Sequence, residues 1–150
     1  MRKAFVIVST LLLASFVLQF VFAAVGAFTK PAGDGAYALH SVNGTAVIPV
    51  LTLLTILFAV LAKAPGRLVG LAVLPLGLVV VQALIAMLAN ASTDVAGGST
   101  PFGLTIAGLH AINGIVAAHV VVGVAQAARK LARPAPAGAD PVTVREGEPA

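Results

Sequence analysis

The chain has 150 residues, 59% of them hydrophobic and only 9% charged, with a formal net charge of +4. A water-soluble domain of this size carries roughly a quarter charged residues, so this chain cannot cover a water-facing surface, and its natural solvent is a lipid bilayer. The absence of Cys excludes disulfides, thiolate metal sites, c-type haem attachment and Cys-held iron–sulfur clusters. The basic residues stand at segment ends rather than on one face, which argues against a nucleic-acid partner.

Four apolar runs follow one another, at about 4–28, 38–62, 68–89 and 102–128, and none contains Asp, Glu, Lys or Arg. Each exceeds the roughly 20 residues that cross a hydrocarbon core of about 30 Å. In lipid the backbone must satisfy itself, so such runs are helices. The fold class predicted is all-α, a four-helix transmembrane bundle over residues 1–131, followed by a Pro/Ala/Gly-rich tail over 132–150 expected to be disordered.

The first run begins with Arg2 and Lys3 and ends in small residues, as a signal peptide would. Its apolar stretch is long for a cleaved segment, and the expectation is a retained first helix. "TKPAGDG" separates the first two runs, "KAPGR" makes a tight turn after the second, and "NASTDVAGGSTP" precedes the fourth. There Thr100 and Pro101 read as N-cap and first helical residue. Pro49 and Pro75 lie inside runs two and three, where neighbouring helices tolerate kinks.

Arg2, Lys3, Lys63, Arg67, Arg129, Lys130, Arg133 and Arg145 all fall on one side of this topology, and only Lys30 on the other. The positive-inside rule then predicts that both termini are cytoplasmic in a bacterial cytoplasmic membrane, with His40 and His110 nearer the outer surface. The abundance of Ala, Val and Gly points to a high-GC bacterial genome.

A six-residue pattern occurs twice: "LHSVNG" at 39–44 and "LHAING" at 109–114. The preceding helix carries one Gln in each case, Gln19 in "VLQF" and Gln82 in "VVQA". Helices one and two therefore read as one copy of a hairpin, and helices three and four as another, with a longer outer loop in the second. Two crossings per copy make these parallel repeats about an axis along the membrane normal. Residues i, i+3 and i+4 share a helix face, so each copy presents His, Asn and Gly together.

Two readings of that face compete. In the first, His40 and His110 are the axial metal ligands of a haem b, on facing helices of the bundle. Gly44 and Gly114 then leave clearance for the porphyrin, and Asn43 and Asn113 orient the imidazoles. In the second, Gln19 with His40 or Asn43, and Gln82 with His110 or Asn113, form a purely structural clamp, each polar contact contributing about 0.6–2 kcal/mol. A transporter or quinone site is a third reading, weakened by the absence of any intramembrane acid or base beside the His. His119 has no counterpart in the first half, where Pro49 stands at the matching position. A structural hydrogen bond to Thr52 or Thr55 is expected for it.

No Ser/His/Asp set, HExxH or phosphate loop is visible, which argues against hydrolytic chemistry; the enzyme question is left open, with a non-enzymatic role favoured. The partners expected are the bilayer and either a second copy of the chain or a membrane redox complex.

The short basic N-terminus, "LQF", "LHSVNG", "KAPGR", "VQALIA" and "LHAINGIVAAHVVVGVAQAARK" together resemble a family of small bacterial four-helix membrane proteins classed as a domain of unknown function. The resemblance covers about residues 3–131 and brings no assigned activity. A looser likeness is to membrane b-type cytochromes. The chain departs from their four-His, two-haem arrangement, having two matched His and one unmatched.

Overall fold

The computed structural model describes residues 1–31, 33 and 35–134 of the chain. Four long helices follow in order: α1 Arg2–Phe28, α2 Ala38–Leu61, α3 Gly66–Ala91 and α4 Pro101–Ala132. All four are long and apolar enough to cross a membrane. At about 1.5 Å per residue, the 27 residues of α1 reach beyond a hydrocarbon core of about 30 Å. The tail expected beyond residue 131 lies, from 135 onward, outside the described residues.

The helices outrun the apolar runs. α3 starts at Gly66 and closes at Ala91, and α4 continues through Arg129 and Lys130 to Ala132. Hydropathy ends where charge begins, whereas a helix tolerates cations in its last turn because they face the negative end of its dipole. The α4 start follows the sequence reading: Thr100 Oγ1 accepts from Gly103 N at 3.0 Å, with Pro101 as the first helical residue.

α2 is not uniformly α-helical. Asn43–Val47 form a π-helical turn, in which Ile48 N–H bonds Asn43 O. Pro49 gives the reason. A proline inside a helix lacks one N–H, and its ring crowds the carbonyl one turn earlier. A wider turn placed just before it relieves that crowding. Pro75 sits in α3 without interrupting it.

The α2–α3 turn closes α2 with two nested bonds, Lys63 N to Val60 O at 2.9 Å and Ala64 N to Ala59 O at 3.0 Å. This is a Schellman cap, with Lys63 at φ 55° in the position usually given to Gly.

Each helix packs on two neighbours: α1 and α3 both touch α2 and α4. Short connections place sequential helices side by side, so α2 and α4 face one another across the bundle. At the end nearest the termini the bundle is solid. Phe5, Ala59, Ala62, Ala72, Val124 and Ala128 pack there, and the small side chains let the backbones approach closely. A second cluster of Leu12, Phe16, Ile48, Ala117 and Val121 fills the middle. Buried Ser9, Thr52 and Thr55 each return their hydroxyl to a carbonyl of their own helix, which removes the cost of an unpaired polar group. Large apolar side chains such as Leu84, Met87, Ile112 and Ile115 point outward, as a bilayer-facing surface requires.

Candidate functional site

Beyond the middle cluster, towards the 29–37 and 92–100 loops, the bundle is hollow. A cavity of about 1050 Å³ opens there, floored by Phe16, Ile48, Leu78 and Ala117. Its walls carry His40, Gly44, Gln19, Gln82, His110, Asn113 and Gly114, and Tyr37 stands among its lining residues. Asn43 does not line it; it is buried behind Gln19.

The two hairpins are closed by the same three hydrogen bonds. Gln19 Nε2 donates to His40 O at 3.0 Å, and Gln82 Nε2 donates to His110 O at 2.8 Å. Asn43 Nδ2 donates to Gln19 Oε1 at 2.7 Å, and Asn113 Nδ2 makes the same bond to Gln82 Oε1. Each Asn also reaches a backbone carbonyl one turn before its Gln, Ser15 O for Asn43 and Leu78 O for Asn113, both at 3.0 Å. Both Asn side chains thus bond the Gln, the pairing of the clamp reading, and not the imidazole, the pairing of the haem reading.

The first hairpin holds its His far more firmly. His40 Nδ1 lies 3.1 Å from Gln19 O, and a carbonyl only accepts, so Nδ1 carries the proton. His40 Nε2 is then the acceptor and lies 3.3 Å from Gln19 Nε2. Ser15 Oγ adds a bond to Asn43 Oδ1 at 2.8 Å. Leu78 stands where a second Ser15 would be, so Asn113 has no such donor. His110 Nδ1 is buried with no hydrogen-bond partner.

The glycines differ as well. A Cβ on residue 44 would stand 2.7 Å from Gln19 Nε2, whereas on residue 114 it would meet Gln82 Nε2 at an ordinary 3.5 Å. The clearance at Gly44 therefore belongs to the Gln19 amide, so the hydrogen-bonded clamp itself requires that glycine.

His40 and His110 approach across the bundle with ring centroids 6.2 Å apart and planes at 47°. Tyr37 meets His40 edge-on at 6.3 Å. Among the described residues no group of three or more His, Cys, Asp or Glu comes together. His119 lies elsewhere, exposed on α4 beside a shallow groove with Leu71, Ile115 and Gly123. The bond expected to Thr52 or Thr55 does not form: Thr52 Oγ1 bonds Ile48 O at 2.8 Å and Thr55 Oγ1 bonds Leu51 O at 2.7 Å.

Ser15 escaped the sequence reading, although it lies one turn before Gln19 on the same face.

Together these features define an all-helical bundle with four candidate membrane-spanning helices around a mostly apolar cavity that carries a few His, Gln and Asn side chains. Residues 19–90 match a family of unknown function, DUF6220. That stretch includes Gln19, His40, Asn43, Gly44 and Gln82, and stops before His110. No curated protein and no solved structure matches the chain.

Proposed function

We propose that the chain is a multi-pass protein of the bacterial cytoplasmic membrane, both termini cytoplasmic, that binds one haem b between His40 and His110 and acts in electron transfer. One observation carries this reading: the 6.2 Å separation of the two ring centroids. Two nitrogens each about 2 Å from a metal, with roughly 1 Å more from each nitrogen to its ring centre, require about 6 Å.

The residues fit the group in three further respects. His40 Nδ1–H on a backbone carbonyl is the bond by which metal-ligating His is oriented, and it leaves Nε2 as the lone-pair atom. His110 Nδ1 is an orphaned polar atom in a mostly apolar enclosure. The His40 and His110 rings approach one another, and haem brings four nitrogens of its own. One local change is required: the Gln19 amide must release His40 Nε2. When bound, haem would supply a one-electron couple, and His40 and His110 are the residues that would hold its iron.

The repeated hydrogen-bond set supports a duplicated hairpin as the origin of the site. Absorption spectra of the detergent-purified protein, oxidised and dithionite-reduced, test the function. A sharp reduced α-band is expected. A colourless protein, expressed with ample haem, overturns it.

The clamp alone is the second reading, favoured by the filled space at Gly44. In it the protein is a structural or accessory membrane component and the cavity holds lipid. A quinone or small-solute site would use the same cavity, but among the described residues no Asp, Glu, Lys or Arg lines it.

A further inference from the structure

His119 is the one histidine that the cavity does not take up. It is exposed on α4, and among the described residues its ring has no hydrogen-bond partner, the Thr52 and Thr55 hydroxyls being spent on carbonyls of their own helix. Its depth makes that costly. Arg129 and Lys130 close α4 and belong at the level of the headgroups. His119 stands ten residues before Arg129, about 15 Å along the helix, which is half of a hydrocarbon core of about 30 Å. A neutral imidazole carries one donor and one acceptor, and hydrocarbon offers a partner to neither.

An apolar groove of about 460 Å³ lies beside the ring, lined by Leu71, Ile115, Val116, Val120 and Gly123. Ile115, His119 and Gly123 are spaced by four along α4 and form one ridge. Gly123 is not required by the packing of this chain on itself: a Cβ there would meet only Leu71 Cδ2, at an ordinary 3.8 Å. A small residue on the outer face of a membrane helix lets a second backbone approach closely, and a His beside it supplies the polar contact between helices.

We infer that this face pairs α4 with α4 of a second copy of the chain, His119 of one copy hydrogen-bonding His119 of the other. Two features select a second copy over a different partner. Both copies sit in the membrane the same way up, so a twofold axis along the membrane normal brings each residue of the face opposite itself at the same depth. The imidazole is also its own complement, the donor of one ring meeting the acceptor of the other. Gly123 meets Gly123 one turn further on, where the backbones come closest. None of the groove residues lines the cavity, so the pairing goes beyond the haem reading and does not depend on it.

The chain has no Cys, so a single introduced thiol reports a single position. Ile115→Cys is expected to give a disulfide-linked dimer when the full chain in phosphatidylcholine vesicles meets a mild oxidant. Leu53→Cys, exposed on α2, is not. Energy transfer between labelled full-length copies, followed as the protein-to-lipid ratio falls, gives the dimerisation midpoint. His119→Leu is expected to raise that midpoint roughly 3- to 30-fold, the worth of one hydrogen bond between membrane helices. Gly123→Ile is expected to raise it by holding the backbones apart. His119 faces outward, so its substitution keeps the test open if isoleucine at 123 does not fold. A wild type that stays monomeric, a midpoint unmoved by His119→Leu, or crosslinking at 53 equal to that at 115 overturns the pairing. The Soret band of the same preparations decides the haem reading separately.

Discussion

The Gln19 amide occupies the space that a side chain on Gly44 would need: a Cβ there would come within 2.7 Å of Gln19 Nε2, while at the matching Gly114 the nearest atom is 3.5 Å away. Two glycines at equivalent places in a repeated motif thus have unequal duties.

Gly44→Ala is expected to push the Gln19 amide aside and break its bonds to His40 and Asn43. The amide is the end of a flexible chain, so the cost is lost hydrogen bonding rather than steric strain, about 1–2 kcal/mol. Gly114→Ala is expected to be neutral within about 0.5 kcal/mol. Thermal unfolding in detergent measures both. The Gly44→Ala penalty should shrink when Gln19 is already Ala, because the two changes remove the same bonds.

The first clamp is also deeper. Asn43 bonds Ser15 Oγ, Ser15 O and Gln19 Oε1, whereas Asn113 bonds only Leu78 O and Gln82 Oε1. Asn43→Ala is expected to destabilise by about 2–3 kcal/mol, and Asn113→Ala by about 1 kcal/mol less. Equal penalties in matched unfolding experiments would contradict the asymmetry.

Lys63 caps α2 at φ 55°, a conformation that costs a side chain of this kind about 1 kcal/mol relative to Gly. Lys63→Gly is expected to raise stability by up to that amount. If Lys63 is kept for its charge, the same variant should weaken the orientation bias of a topology reporter placed after residue 65.

Thr52 and Thr55 satisfy themselves on their own helix, and His119 is exposed on α4. Thr52→Val and Thr55→Val should each change stability by less than about 1 kcal/mol. Neither should alter the ring signals of His119 in an NMR spectrum of histidine-labelled protein. A shift at His119 on substituting either Thr would restore the bond that was expected from sequence.

The proposed orientation requires reporters fused after residues 33, 65 and 97 to read outside, inside and outside, and a full-length fusion to read inside. Failure to alternate at 33 would show that the first segment does not span.

The sequence by itself determined the four helices and offered each Gln a His or Asn partner on the helix that follows. Both follow from local chemistry: an apolar stretch of that length in lipid has no backbone partner but itself. A few polar side chains among apolar ones must find each other. The capped start of α4 was legible for the same reason, since Thr100 and Pro101 act on their own first turn.

What only the tertiary structure decided is rotation, depth and detail of contact. When every face of a helix is apolar, periodicity does not say which one turns inward, so His119 was assigned a buried bond and instead faces out. Sharing a face with His40 and His110, Asn43 and Asn113 are open in the sequence to the imidazoles or to the glutamines, and the atoms within reach are the amide oxygens of Gln19 and Gln82. The turn widened before Pro49 has no signature beyond the proline. The hollow end of the bundle depends on how four helix surfaces meet, with bulky Phe16 and Ile48 at its floor and only small or polar side chains at 44, 110 and 114. That meeting of surfaces is a property of the assembled bundle, and no single segment contains it.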